Sequence, residues 1–114
     1  MKLDHSFAKE LTSLGSEVKP IKLTNSRLAV FNQDLATELN LPSDWQQESH
    51  LFNEIYTENG TLNLNSMAQK YGGHQFGHWN PELGDGRGLL LAEAIDKQQQ
   101  RWDLHLKGAG LTPY

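Results

Sequence analysis

Apolar residues recur at helical spacing near the start of the chain and at strand spacing near its end. Phe7, Leu11 and Leu14 lie three or four residues apart and Gly15 follows as a stop, which predicts a short amphipathic helix over residues 4–14. Val18, Pro20, Ile21 and Leu23 predict an extended segment, because proline does not fit an ordinary helix interior. Arg27–Phe31 has the composition of a second strand. Asn32 predicts an N-cap for a helix over Gln33–Leu39, with Leu35 and Leu39 on one face and Pro42 beyond its end. Ser43 and Gln46 have capping-box spacing ahead of Leu51, Phe52 and Ile55, and Asn59-Gly60 reads as the turn that follows. Ser66 predicts the cap of one more short helix running to Tyr71. Core packing accounts for all of these apolar positions.

The pattern changes toward the C-terminal end. Gly88–Ile95 is an apolar run of strand length, for which a short buried helix is the alternative. Asp96–Gln100 is polar and turn-like. In Arg101–Lys107, Trp102, Leu104 and Leu106 alternate with Asp103, His105 and Lys107, as in a strand with one apolar face. Two such strands joined by a short polar stretch predict a β-hairpin.

Composition narrows the class of protein. With 114 residues and 37% hydrophobic content the chain is one domain's worth of globular protein, and no linker divides it. Its net charge of -4 argues against a nucleic-acid partner, which calls for a basic surface. No run approaches the ~18 apolar residues of a membrane span, and the start lacks an apolar signal region. With no cysteine there is neither a disulfide framework nor a thiolate metal site. The expectation is a cytoplasmic protein, or a mitochondrial one if eukaryotic, although no transit peptide is seen.

Eight of the ten glycines fall in the last 43 residues. Such clustering marks special backbone geometry or close approach to a ligand. In Leu83-Gly84-Asp85-Gly86-Arg87-Gly88, alternate glycines let several N–H groups point at one anion, and Arg87 adds a planar donor fork. A hairpin that returns to its start brings Lys107 back beside this loop, so loop amides, Arg87 and Lys107 converge on one polyphosphate. The layout is that of a protein-kinase N-lobe. A tight turn and a solvated lysine are the plain alternatives. The pair Gly108 and Gly110 lets the chain turn away after the lysine. His74 and His78 have a spacing that would suit two metal ligands on a helix, but the glycines around them and the lack of a third ligand favour structural roles. His105 shares a face with Lys107, as a cleft or a surface residue.

Three motifs, Tyr71-Gly72-Gly73-His74-Gln75-Phe76-Gly77, then Leu83–Gly88, then Leu106-Lys107-Gly108-Ala109-Gly110-Leu111-Thr112-Pro113-Tyr114, closely resemble the selenoprotein O family in order and spacing. Looser similarity through Pro20-Ile21, Arg27-Leu28 and Asn32–Leu41 extends it over essentially the whole chain. Gly72 and Gly88 depart from the family, where alanine is often expected. The resemblance implies a kinase-fold protein adenylyltransferase that moves AMP from ATP onto Ser, Thr or Tyr hydroxyls of protein substrates. It implies nucleotide binding by Gly84, Gly86, Arg87 and Lys107, and Mg²⁺ (or Mn²⁺) held by residues downstream of this chain, with no catalytic base and no metal ligand within it.

The expected architecture is therefore α+β. Residues 1–70 form an N-terminal helical extension, and residues 71–114 the glycine-rich loop and lysine hairpin of a truncated kinase-like N-lobe. The exposed sheet edge of such a piece invites edge-strand pairing into an oligomer. Family members are several hundred residues long and continue past the last motif, so the chain reads as an N-terminal fragment, inactive alone. A non-catalytic nucleotide-binding pseudokinase or scaffold module is the alternative.

Overall fold

The computed structural model describes residues 2–21, 27–41, 66–84, 88–108 and 110–113. These form a mostly antiparallel sheet with few helices. The strands are β1 (Lys2–Asp4), β2 (Gly15–Glu17), β3 (Met67–Gln75), β4 (His78–Gly84), β5 (Gly88–Ile95) and β6 (Arg101–Lys107). The helices are α1 (Ser6–Glu10), a 3₁₀ turn at Thr12–Leu14, and α2 (Gln33–Glu38).

β5 is the centre of the sheet. It pairs with β6 on one side, and on the other with β1 and, at Met67–Leu90, with β3. β3 in turn carries β2 and β4. Leu89, Leu90, Leu91, Ala92 and Ala94 are all buried, which is why β5 reads as a continuous apolar run rather than an alternation. One charged residue interrupts it. Glu93 is buried, and its Oε1 accepts from Ser6 Oγ (3.0 Å) and Phe7 N (3.1 Å). The start of α1 is thereby fastened to the sheet.

The hairpin expected over residues 88–107 is present as β5–β6, so the strand reading of Gly88–Ile95 holds. Its turn is organised by Asp96, whose Oδ1 accepts from the backbone N–H of Gln98 and Gln100 and whose Oδ2 accepts from Trp102 Nε1. Asn32 caps α2 as its sequence position suggests, accepting from Leu35 N at 3.0 Å.

Several expectations are corrected. The single helix over residues 4–14 is a strand end, a short helix and a 3₁₀ turn, and Gly15 opens β2 rather than ending a helix. Arg27–Phe31 forms no strand. Ser66 caps no helix. Its hydroxyl donates to the Val18 carbonyl and its own carbonyl accepts from Val18 N, extending the β2–β3 pairing, and β3 follows. The expected helix after Ser43, the turn at Asn59-Gly60, and Leu23 lie outside the described residues.

Candidate functional site

Within β5–β6 the pairing runs Ile95–Arg101, Ala94–Trp102, Glu93–Asp103 and Ala92–Leu104, then resumes at Leu90–His105, Leu89–Leu106 and Gly88–Lys107. Leu91 is the extra residue of a β-bulge. Unbroken pairing from the turn would have set Lys107 opposite Leu89. The bulge sets it opposite Gly88 instead. Cross-strand partners share a face, so Lys107 stands beside a position with no side chain, at the very start of β5 where residues 85–87 join it.

The same face carries His105, Asp103 and Arg101 along β6, and Glu93 along β5. Across three strands Asp4, Glu93 and Asp103 are in register. Arg101 answers this acidic row, with Nη1 donating to Asp4 Oδ2 at 2.6 Å. That hydrogen bond, helped by the backbone N–H of His5, holds the Asp4 carboxyl below its ordinary value, and the same bond raises Arg101. The acidic row sits at the turn end of the hairpin. Lys107 is four residues beyond Asp103 along β6, about 13 Å away at strand rise. Carboxylates and lysine thus lie toward opposite ends of one face, and Lys107 is exposed.

Gly84 ends β4, opposite Lys70 of β3. The backbone therefore leaves the β3–β4 arm at Gly84 and enters β5 at Gly88, so the short connection between them starts and ends next to known strand positions. Gly86 and Arg87 lie in that connection and outside the described residues. The structure brings Gly88 and Lys107 together, puts Gly84 four residues before Gly88, and leaves the other two without a described position. After the lysine, Gly108 and Gly110 have positive φ, 85° and 117°, a backbone that side chains other than glycine rarely adopt.

The arm also settles the histidines. A tight turn at Phe76-Gly77 pairs Gln75 with His78 and His74 with Trp79. Adjacent cross-strand pairs point to opposite faces, so His74 and His78 cannot share a metal, and their spacing is that of a hairpin rather than a helix. His74 packs edge-on against Trp79, with ring centroids 5.4 Å apart at 62°. Trp79 in turn lies across Gly72, where an added Cβ would come within 2.9 Å of the indole. No signal in the sequence marks that contact, since Gly72 and Trp79 meet only once the hairpin closes. Among the described residues no group of three or more His, Asp or Glu side chains could hold a metal ion. No helix among the described residues is long and apolar enough to cross a membrane.

Over residues 1–114 the chain matches the family model described as Protein adenylyltransferase SelO. It is similar to the Protein nucleotidyltransferase YdiU of Pseudoalteromonas atlantica (strain T6c / ATCC BAA-1087), 51% identical over 114 residues, which cover 100% of this chain and 24% of that relative. The protein of the same name from Aliivibrio fischeri (strain ATCC 700601 / ES114) is 50% identical over 97 residues, 85% of this chain and 20% of that one. That from Pseudomonas aeruginosa (strain UCBPP-PA14) is 44% identical over 115 residues, 97% of this chain and 23% of that one. The chain thus spans less than a quarter of the length of these relatives.

Proposed function

The chain belongs to the SelO protein adenylyltransferase family, and from that premise we propose that it supplies the phosphate-binding part of an enzyme that transfers AMP from ATP to Ser, Thr or Tyr hydroxyls of proteins. The observation that carries this reading is the placement of Lys107 opposite Gly88, beside the glycine-rich connection. A lysine ammonium next to bare backbone meets a polyphosphate without a competing side chain, and Gly84, Gly86 and Arg87 add backbone N–H groups and a guanidinium to the same anion. The antiparallel sheet with its lysine-bearing hairpin supports a kinase-like N-lobe.

In this reaction the substrate hydroxyl oxygen bonds to the α-phosphorus, the bond from that phosphorus to the bridging oxygen of the β-phosphate breaks, and pyrophosphate leaves with its electron pair. The hydroxyl proton goes to a base outside this chain. Lys107 and Arg87 hold the phosphate oxygens and offset the charge that builds on the leaving pyrophosphate, which is where transfer enzymes of this kind gain much of their rate. ATP is the substrate. Mg²⁺ or Mn²⁺ would supply further charge neutralisation, from ligands beyond residue 114. The site of action is the cytoplasm, and residues 1–114 alone do not complete the transfer.

The test is labelling of a generic protein substrate from α-labelled ATP by the full-length protein. Lys107→Ala removes most of the label, and a variant that labels at the wild-type level would exclude the lysine from the site. Lys107 is exposed, so the substitution leaves stability within about 0.5 kcal/mol of wild type.

A further inference from the structure

Phe76 occupies a position that a folded chain in water would not choose for it. The arm turns over at Phe76-Gly77, and both residues have positive φ, 52° and 78°. Two-residue turns with both central residues in this region favour Asn, Asp or Gly at the first of them, and a bulky aromatic there is a true outlier. The ring is also 92% exposed, so packing among the described residues does not offset the strain. Trp79 at 60% and Tyr71 at 49% exposure add two more aromatic rings to the same arm. The arm is a two-stranded ribbon beyond Gln69, where the pairing of β3 with β2 ends, and such ribbons are marginal in water without something to pack on. Strained residues persist where their surroundings fix them.

We propose that Phe76 is an anchor, and that it docks the β3–β4 arm into an apolar pocket on the polypeptide that follows residue 114 in the full-length family protein. Relatives matched over 20–24% of their length have more than three-quarters of their chain available to cover it. The geometry favours that occupant. The arm joins β5 at Gly88, and the chain leaves β6 at Lys107 directly across from it, so polypeptide continuing past residue 114 sets out from the end of the sheet to which the arm is attached. A pocket within the same chain also avoids the loss of translational and rotational freedom that a separate partner would incur. The proposal does not depend on nucleotide binding, so it stands or falls apart from the role of Lys107.

The experiment compares the full-length protein with its Phe76→Asn and Phe76→Leu variants by amide hydrogen exchange over residues 71–80 and by thermal melting. Asparagine is the better turn residue, yet it is expected to speed exchange across the arm about tenfold and to lower the melting temperature, because the anchor is gone. Leucine keeps the apolar bulk and stays closer to wild type. An asparagine variant with unchanged or slower exchange and an equal or higher melting temperature would show that the tip lies in water and overturn the proposal. Two other outcomes overturn the choice of occupant. Loss of a concentration-dependent dimer in the asparagine variant would assign the anchor to a second copy, and unchanged exchange with a raised KM for protein substrate would assign it to the substrate.

Discussion

Gly88 and Lys107 face each other across the β5–β6 ladder, so the lysine is paired with a residue that has no side chain at the point where the glycine-rich connection enters the sheet. Directly opposed side chains sit about 4.5–5.5 Å apart at Cβ. A β-branched side chain at position 88 would therefore crowd the lysine. Gly88→Val is expected to weaken ATP binding by the full-length protein about tenfold, or about 1.4 kcal/mol, whereas Gly88→Ala stays near wild type. Calorimetric titration with ATP reads this, and a valine variant of wild-type affinity would mean that the lysine does not work from this face.

Trp79 and Gly72 set up a second, purely structural expectation. A Cβ at position 72 would lie 2.9 Å from the indole, and forcing an extra group into a filled space costs about 1–3 kcal/mol. Gly72→Ala should lower stability by an amount in that range, while the same change in a Trp79→Leu background should cost much less. The two positions then show a coupling energy in a double-mutant cycle. Additive effects in urea denaturation would contradict the contact.

What was legible in the sequence follows from how local each signal is. The β5–β6 hairpin shows in the apolar run of one strand and the alternation of the other, and the α2 cap shows in one side chain next to its own helix. β1 and β2 have three residues each, too few for a period to emerge, and they exist because β5 and β3 offer partners. Ser66 misleads because its hydroxyl has two uses, and Val18, distant in sequence, decides between them. Gly72-Gly73 looks like a break in structure but is strand, because the glycines make room for Trp79 and Leu83 of the partner strand. In the site, the return of Lys107 to the glycine-rich end was readable from hairpin logic. The residue it faces was not, since the bulge at Leu91 that shifts the register by one arises only from pairing.

The α2 cap gives a simple measure of how much a local signal contributes. Asn32 Oδ1 accepts from Leu35 N, and loss of such a cap typically costs about 1 kcal/mol. Asn32→Ala is expected to lower stability by about that much and Asn32→Asp to leave it unchanged or slightly higher, since a carboxylate at a helix N-terminus meets the positive end of the dipole. Denaturant midpoints at constant slope check both.

Asp96 makes acid stability depend on a tryptophan. The hydrogen bond from Trp102 Nε1, with further help from the backbone N–H of Gln100 and Gln98, holds the Asp96 carboxyl below its ordinary value of 3.8. A lowered folded value means that the unfolded chain takes up the proton more readily than the folded one. The stabilisation is therefore complete above about pH 3.8 and is lost as the pH falls from there through the lower folded value. Trp102→Phe keeps an aromatic ring but removes the donor, which moves the folded value back toward 3.8. The variant should be less stable than wild type near neutral pH, and the gap should narrow as the pH drops below 3.8. Asp4 is lowered by Arg101 in the same direction, but it is common to both proteins and cancels in the comparison. A gap that stays constant from pH 6 to about pH 2 would mean that the tryptophan contributes only its packing, and that the Asp96 turn is held by its backbone hydrogen bonds alone.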